Sequence, residues 1–231
     1  MTKIEKIKEL AEAGDAQAQY ELALLFESTD KANDYKGLAF KWCLKAAKQG
    51  HPDAQYHLGL MYTNGHSITK NANEAYRWFK NAAIQGNSAA QTNLGVLYFN
   101  GQGVSQNETL GLKWIQKAAE QGFPEAQYKM ATGYRTGFAL PMDRVEAIKW
   151  YRKAARQGHV KSQYFLAELL ANGKNMEKDY VSSYAWMLLA KLGNDELART
   201  NIEILRKEMS EEQIAQAQTI ASELIKKIEG Q

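Results

Sequence analysis

The feature that most constrains this chain is a repeat of 36 residues that runs through most of its length. All five tryptophans follow one another at this spacing, and so do columns of glutamine, glycine and alanine. The tryptophan column contains Trp42, Trp78, Trp114, Trp150 and Trp186. The glutamine column contains Gln19, Gln55, Gln91, Gln127 and Gln163. Such a chain is predicted to fold as an array of similar units, because one unit cannot bury its apolar face without a neighbour.

Each unit carries the signals of two helices, which we call helix A and helix B. In the second full copy, helix A is predicted from about Pro52 to Thr63 and helix B from about Ala72 to Gln85. Glycine is expected at the left-handed ends of these helices, since it lacks the Cβ that penalises this conformation. Capping boxes are predicted at Asn71 with Glu74, Ser105 with Glu108, Asp143 with Glu146, and Ser210 with Gln213.

Small residues at fixed positions on both helices predict that the helices pack closely. One column on helix A holds only Ala or Gly, and one on helix B holds Ala, Gly or Ser. The glutamine column is expected to satisfy backbone groups between helices, and the tryptophans and Cys43 are expected to lie in the core. Prolines are few and helix-forming residues abundant, so the chain is predicted to be all-α, with about five full repeats.

The two ends of the chain depart from the repeat and are predicted to cap it. Residues 1–13 are expected to form a lone, more polar helix of type B, in which Lys6 takes the place of tryptophan. The array extends over residues 14–193 and ends at Gly193, which arrives one position early. Residues 194–231 keep a helical period without the tryptophan and small-residue columns, so they are expected to form C-terminal capping helices.

Two motifs carry a resemblance to a known family. The pattern A-Q-Y-x-L-G-x-x-Y-x-x-G stands at Ala54–Gly65, and A-x-x-W-x-x-x-A-A-x-Q-G stands at Ala75–Gly86. These units resemble Sel1-like repeats, which are relatives of the tetratricopeptide repeat. The resemblance implies a right-handed α-solenoid, an α/α superhelix that binds proteins or peptides and whose concave surface is lined by helix A. Some members are immunity proteins to toxins. Exported members with paired cysteines differ from this chain, which has one cysteine.

Positions that vary between copies are free to specify a partner, and on helix A they are spaced four, three and four residues apart, on one face. The predicted partner-binding residues are Asp53, His57, Leu60, Asn64, Asn93, Val96, Asn100, Lys129, Thr132, Phe165 and Glu168. The apolar members fit either partial burial between neighbouring helices or a peptide groove with mixed contacts. In the second case Phe165 and Phe99 are exposed anchor candidates.

No arrangement of residues indicates catalysis or metal binding, so we expect no catalytic residue, no metal and no cofactor. The histidines His51, His57, His66 and His159 lack metal-ligand spacing, and no phosphate loop or nucleophile elbow is present. Lysines and an arginine form a stripe on helix B. A solvated outer face without interleaved aromatics is expected there, with an acidic partner as the alternative. The net charge of +3 does not indicate a nucleic-acid partner.

The sequence therefore predicts a non-enzymatic bacterial adaptor that holds a protein or peptide on its concave face. One alternative is an envelope or toxin-neutralising binder that blocks an enzyme, and another is a cell-wall or β-lactam-acting enzyme. We expect a monomer without membrane insertion, since no apolar run approaches the roughly 18 residues of a membrane span. A cytoplasmic location is expected because the N-terminus has no signal-like apolar centre, or a periplasmic or secreted one if a leader was removed.

Overall fold

The structure, a computed structural model, describes residues 2–28, 33–65, 68–173 and 177–230. These residues form thirteen α-helices and no strand, which confirms the all-α class. The helices are α1 Lys3–Glu12, α2 Ala16–Ser28, α3 Asn33–Lys48, α4 Pro52–Asn64, α5 Ala72–Ile84, α6 Ser88–Asn100, α7 Glu108–Glu120, α8 Pro124–Thr136, α9 Arg144–Ala155, α10 Val160–Asn172, α11 Tyr180–Leu192, α12 Glu196–Arg206 and α13 Glu211–Glu229. None of these helices has the length and apolar character needed to span a membrane.

The chain divides into two compact units, Met1–Ala118 and Ala119–Gln231. From α2 to α11 the even-numbered helices are of type A and the odd-numbered helices are of type B. In the first unit α2 packs against α3 and α4 against α5, and these pairs are joined by contacts of α3 with α4. In the second unit α8 packs against α9, α10 against α11, and the final helix α13 packs against α11. Each unit therefore buries its apolar faces by stacking helices that are neighbours in sequence.

The predicted left-handed glycines are confirmed, with one shift of position at the end of the array. Gly65 and Gly86 have φ angles of 73° and 98°. Gly193, by contrast, has a φ of −74°, and Asn194 adopts the left-handed conformation at φ 64°. Asn tolerates this conformation better than most residues. A Cβ at Gly193 would collide with the Val160 side chain, so the glycine there allows close packing while Asn194 keeps the period.

The capping box at Ser210 is confirmed, and the other predicted boxes are half formed or displaced. Ser210 accepts a hydrogen bond from the Gln213 backbone, and the Gln213 side chain accepts one from the Ser210 backbone. Asn71 and Asp143 accept their backbone bonds, but the glutamate three residues later does not return one. The Glu74 carboxylate instead accepts hydrogen bonds from the arginine and tryptophan that follow it on α5.

The capping prediction at Ser105 is wrong. Helix α7 begins at Glu108, and the Asn107 side chain accepts a hydrogen bond of 2.9 Å from the Leu110 backbone. Asn107 is directly adjacent to the helix and caps as well as serine does, so it outcompetes a serine that lies two residues farther away.

Close helix packing at the small-residue columns is confirmed. A Cβ added to Gly95 would lie 2.7 Å from the Gly111 carbonyl oxygen, so only glycine permits this approach of α6 to α7. A Cβ at Gly59 would lie 2.6 Å from the ring of Phe79. Where helix B carries Ser183, its hydroxyl donates a hydrogen bond of 2.8 Å to the carbonyl of Ala167 on α10. The side chains at these positions thus set the distance between helices A and B.

The glutamine column satisfies backbone carbonyls, as predicted. All five side chains are buried, and each donates from Nε2 to a carbonyl eight residues earlier, at the end of the preceding helix B. The acceptors lie at 3.1–3.2 Å and are the carbonyls of Ala11, Ala47, Ala83, Ala119 and Ala155. These bonds replace water at a helix end that the next repeat covers, which explains why glutamine recurs in every copy.

Candidate partner-binding site

The first of the four varied columns of helix A, which contains Asp53 and Glu125, makes contacts between repeats. Asp53 accepts a hydrogen bond of 2.9 Å from Asn87, the residue that caps the start of α6. In the second unit Glu125 lies 3.1 Å from Nε2 of His159, which caps the start of α10 through Nδ1. The His159 side chain therefore accepts with Nδ1 and donates with Nε2. The acidic residues of this column therefore contact the residue that caps the next helix A, and Asp53 is hydrogen-bonded within the protein.

Two predicted site residues of the first unit also have internal partners. Nε2 of His57 lies 2.9 Å from a carboxylate oxygen of Glu27 on the preceding helix A, and 16% of the His57 side chain is exposed. The Asn93 side chain donates to the Ala89 carbonyl at 3.0 Å and hydrogen-bonds Tyr56. Burial raises the pKa of Tyr56, and the Asn93 contact opposes this shift. The polar groups of this part of the face are therefore largely satisfied within the protein.

The apolar residues of the first unit lie at the border of its core. Leu60 and Val96 are half-buried, and Leu60 packs against the cluster that contains Phe79 and Leu94. Phe99 is half-buried rather than exposed, and its ring lies against the space left by Gly111. Asn64 and Asn100, at the ends of their helices, are exposed. Of the two possibilities for the apolar column, the structure shows partial burial at both residues.

The second unit carries an aromatic cluster on the same face of helix A. Phe165 is half-buried, which differs from the exposed position expected for it. Its ring stacks on Tyr151 at 5.7 Å between centroids and contacts Tyr128 at 6.1 Å and Tyr164 at 5.1 Å. Neighbouring aromatic rings cover part of the Phe165 ring, because Tyr128 on α8 and Tyr164 on α10 both lie beside it.

Arg135, which the sequence analysis did not identify, lies on this cluster. Its guanidinium carbon is 4.6 Å from the centre of the Phe165 ring, and its Nε donates a hydrogen bond of 3.1 Å to the Tyr151 hydroxyl. That hydroxyl lies 3.1 Å from Thr132 Oγ1, which itself donates to the Tyr128 carbonyl at 2.9 Å. Because Thr132 uses its own proton there, Tyr151 donates to Thr132 and accepts from Arg135.

A signal for Arg135 is present in the sequence. One further column lies three residues after the varied column that holds Leu60, Val96, Thr132 and Glu168. It contains Glu27, Thr63, Phe99, Arg135 and Ala171. It differs at every copy, and a spacing of three keeps it on the face already chosen. The same rule of variation between copies therefore extends to this fifth column, which supplies the carboxylate at His57 and the guanidinium at Phe165.

Lys129 and Glu168 complete the predicted residues of the second unit. The Lys129 ammonium lies 3.1 Å from Glu125, on its own helix. His159 and Lys129 together lower the pKa of the Glu125 carboxyl to about 2. Glu168 lines a surface cavity of about 370 Å³ whose apolar wall includes Met187 on α11 and Leu205 on α12. Neither this carboxylate nor that of Glu208, on the same cavity, is in an ion pair within the described part of the chain.

The described residues hold no group of three or more His, Cys, Asp or Glu side chains arranged to bind a metal ion. His66, one of the four histidines, lies outside the described residues. Cys43 is fully buried and its thiol lies 3.3 Å from the Ala54 carbonyl, as expected for a core residue. Burial raises its pKa to about 12, so the thiol stays neutral and unreactive.

Two expectations about helix B are wrong. Four tryptophans, Trp42, Trp78, Trp114 and Trp150, are half-buried, and Trp186 alone among the five is buried. Lysines cover three of the exposed faces: Lys45 lies 3.8 Å from the Trp42 ring centre, Lys117 5.4 Å from that of Trp114 and Lys153 4.0 Å from that of Trp150. The basic stripe is thus interleaved with aromatics. The ammonium groups of Lys45, Lys117 and Lys153 are engaged by cation–π contacts, since each of these lysines follows its tryptophan by three residues on the helix.

Comparison with known proteins shows the nature of this array. The model of the Sel1 repeat matches five times, at residues 16–51, 52–87, 88–123, 124–159 and 160–195. A protective antigen present in uropathogenic Escherichia coli strains, which displays an SLR fold, is 32% identical with a TM-score of 0.85. The match covers 96% of this chain and 48% of the antigen, so this chain spans about half the length of that relative.

A Sel1 repeat protein from Oxalobacter formigenes is 26% identical with a TM-score of 0.75, over 94% of this chain and 96% of that one. An immunity protein from Pseudomonas aeruginosa is 21% identical over 82% of this chain and 81% of its own, and its TM-score of 0.41 is too low to bear on function. A comparison with curated proteins found no match. The matches agree with the thirteen described helices in showing an α-solenoid of Sel1 repeats.

Proposed function

Because the chain belongs to the Sel1 repeat family, we propose that it is a non-enzymatic scaffold that holds a protein or peptide on the face formed by its A helices. The observation that carries this proposal is the surface of the second unit around Phe165. There an aromatic ring, a guanidinium and an ammonium lie on two adjacent A helices that the scaffold glutamines hold in place. Apolar anchors beside polar groups are typical of peptide-binding surfaces.

The second unit is a better binding surface than the first because its groups are less completely satisfied. In the first unit His57 is paired with Glu27, and Asp53 with Asn87. In the second unit Arg135 has no carboxylate partner among the described residues, although its position is fixed by contacts with aromatic side chains. A preformed surface loses little conformational entropy on binding, so several moderate contacts add up to useful affinity.

Capture from the native source tests the proposal. The whole chain is immobilised, and the proteins it retains are identified and quantified by mass spectrometry. The variant Lys129→Gln with Phe165→Leu is expected to lose most of the specific capture. His57→Gln with Asn93→Ala is expected to lose less, because both side chains are hydrogen-bonded internally and the His57 side chain is 16% exposed, against 32% for Lys129. The control variant Lys41→Gln with Lys113→Gln removes two exposed cations of helix B and is expected to retain capture.

Circular dichroism and thermal unfolding establish that each variant remains folded before its capture is compared. If the folded Lys129 and Phe165 variant captures the same proteins in the same amounts as the original chain, the partner does not bind this face and the proposal is wrong. If only the helix B control loses capture, the binding surface is the basic stripe, and the face formed by the A helices has only a structural role.

A further inference from the structure

The Arg135 side chain is held in one position by two neighbours, Phe165 and Tyr151. The Phe165 ring lies under its guanidinium, and the buried Tyr151 hydroxyl accepts from Nε. The hydroxyl is itself fixed by Thr132, whose proton is used by the Tyr128 carbonyl. Burial raises the pKa of Tyr151, so this hydroxyl stays protonated and keeps its role in the chain of hydrogen bonds. An arginine oriented in this way loses little rotamer entropy when it binds a ligand.

The Arg135 guanidinium forms no ion pair with any carboxylate in the described part of the chain. Its two terminal nitrogens form no hydrogen bond or ion pair with any residue that the structure describes, and the side chain is only half-buried. The equivalent position three repeats earlier in the array shows what a complete pair looks like. There a carboxylate oxygen of Glu27 lies 2.9 Å from Nε2 of His57, so each of these polar groups has a partner within the protein. The guanidinium of Arg135 therefore keeps its paired donors available to an outside group.

We propose that Arg135 is a recognition site for a carboxylate on an Asp or Glu side chain of the protein partner. The proposal rests on the scaffold function proposed above and adds the chemistry of the partner. A guanidinium presents two parallel N–H groups that match the two oxygens of a carboxylate, and a bidentate pair of this kind adds geometric specificity. The Phe165 ring and its tyrosine neighbours shield the pair from water on one side, which strengthens it.

The surroundings of Arg135 favour a monoanion over a phosphate. Burial raises the pKa of Tyr164, a member of the aromatic cluster, and the negative charges of Glu168 and Asp195 raise it further, so these two carboxylates act on the cluster. These charges repel a dianion more strongly than a single carboxylate. Lys129, another cation on this face, is already paired with Glu125. One guanidinium matches one carboxylate in charge.

A side chain is favoured over a chain terminus for a separate reason. Sites that capture a terminal carboxylate use clusters of free backbone N–H groups. Arg135 lies in the last turn of α8, where the backbone N–H groups are already bonded within the helix. The guanidinium is thus the donor that this site offers, and an Asp or Glu side chain can approach it from a peptide that lies across the A helices.

Defined peptide pools test the proposal on the whole chain. The pools contain 12-residue peptides, acetylated and amidated at their ends, in which one central position is fixed as Asp, Glu, Asn or Gln and the others are randomised. A second set has the same composition with Asn or Gln fixed and a free C-terminal carboxylate. A third set carries a fixed phosphoserine. Binding to the chain and to the variants Arg135→Gln, Tyr151→Phe and Arg77→Gln is measured by fluorescence anisotropy.

The expected result is that the original chain binds the Asp and Glu pools roughly tenfold more tightly than the Asn and Gln pools, the ratio typical of a charge-assisted hydrogen bond. Arg135→Gln removes this ratio while binding of the neutral pools persists. Tyr151→Phe reduces the ratio several-fold, because Nε loses its acceptor while the ring stack on Phe165 remains. Arg77→Gln removes the same charge from an exposed position of helix B and keeps the ratio.

Other outcomes overturn the proposal in distinguishable ways. If the chain binds all pools but shows no preference for acidic ones, or if Arg135→Gln keeps that preference, the carboxylate site is wrong and the scaffold function stands. A preference for the free C-terminus or for phosphoserine assigns Arg135 to a different ligand. If the original chain binds no pool at all, both the site and peptide binding by this face fail. Should Arg135→Gln not fold, Tyr151→Phe decides the matter, since its substitution leaves the packing volume nearly unchanged.

Discussion

Two joints between neighbouring A helices use the same pair of positions, and they differ in what they leave available. In the first unit the pair is Glu27 with His57, 2.9 Å apart, and both polar groups are satisfied by each other. In the second unit the pair is Arg135 with Phe165, whose ring lies 4.6 Å from the guanidinium carbon. At the first joint, the Glu27 carboxylate and the His57 ring are paired with each other within the protein. The second joint holds the guanidinium in place, and no carboxylate among the described residues pairs with it.

This difference shows how a repeat protein can separate shape from binding. The glutamine-to-carbonyl bonds are the same at both joints, with Gln55 and Gln163 donating at 3.1 Å and 3.2 Å. The scaffold therefore stays constant while the face changes. If binding depends on the face alone, substitutions in the scaffold should alter stability at both joints, and substitutions on the face should alter binding at one.

The largest effect is expected from Gly95→Ala, which places in the first unit the residue that the second unit carries at Ala131 and Ala167. The new Cβ would lie 2.7 Å from the Gly111 carbonyl and 2.6 Å from a side-chain carbon of Ile115. Overpacking of this kind typically costs about 1–3 kcal/mol, and backbone contact raises the cost. Urea unfolding measures the change, with Ala131→Gly as the matched variant, for which a loss of about 1 kcal/mol is expected. Equal stability of the Gly95 variant and the original chain would contradict the close approach of α6 and α7.

Removing one scaffold glutamine is expected to cost about the same in either unit. Gln55→Leu and Gln127→Leu each leave a carbonyl at the end of a helix B without its donor and a second glutamine without one of its acceptors, at a cost of about 1–3 kcal/mol in the free energy of unfolding. Chemical denaturation measures both, and the exposed Gln216→Leu serves as the control. A loss confined to one unit would show that the two scaffolds are not equivalent, and the comparison of the joints would need a different explanation.

Acid is expected to weaken the second unit at Glu125. His159 and Lys129 lower the pKa of this carboxyl from 4.5 to about 2, so the folded state favours its ionised form. The resulting stability is present above pH 4.5 and is lost as the pH falls from there towards 2. The side chain is 43% exposed, so solvent screening keeps the effect small. Urea midpoints measured across this pH range should fall less steeply for Glu125→Gln than for the original chain. The control Glu212→Gln, at an exposed position, should follow the original chain.

The smallest effect is expected from Glu27→Gln at the closed joint. The Glu27 side chain is 42% exposed, and exposed ion pairs contribute about 0–1 kcal/mol. Thermal unfolding should therefore change little, and the preference for acidic peptides should stay as it is, because Arg135 lies at the other joint. A strong loss of peptide binding in this variant would show that the first unit, and not the second, provides the binding face.

Much of the fold follows from the sequence because the repeat reveals which residues do the same task in every copy. The left-handed glycines, the glutamine bonds and the close approach at Gly59 and Gly95 all belong to constant columns. The predictions that failed concern positions where two neighbouring residues compete for the same role at a helix end. Asn107 is nearer to its helix than Ser105, and Asn194 takes the left-handed position because Gly193 packs against Val160.

The candidate site was harder to predict than the scaffold. The face of helix A follows from its period, but the periodicity does not show which polar groups have internal partners. His57 was chosen because it varies, while its partner Glu27 lies in a column that the spacing rule did not include. Arg135 belongs to that same column. Its orientation depends on Tyr151, 16 residues away on helix B, and such a contact is fixed by packing and not by the spacing of residues on one helix.

A double-mutant cycle between Arg135 and a peptide carboxylate tests most directly whether this guanidinium binds an acidic side chain of the partner. The best-bound peptide from the acidic pools is made with its central Asp and with Asn in that place, and both are titrated against the original chain and Arg135→Gln. If Arg135 binds the carboxylate, Asp→Asn weakens binding to the original chain about tenfold and leaves binding to the variant unchanged. The coupling free energy between Arg135 and the peptide Asp is then about 1.4 kcal/mol. An equal loss in both proteins would contradict it, because the peptide carboxylate would then bind somewhere other than Arg135.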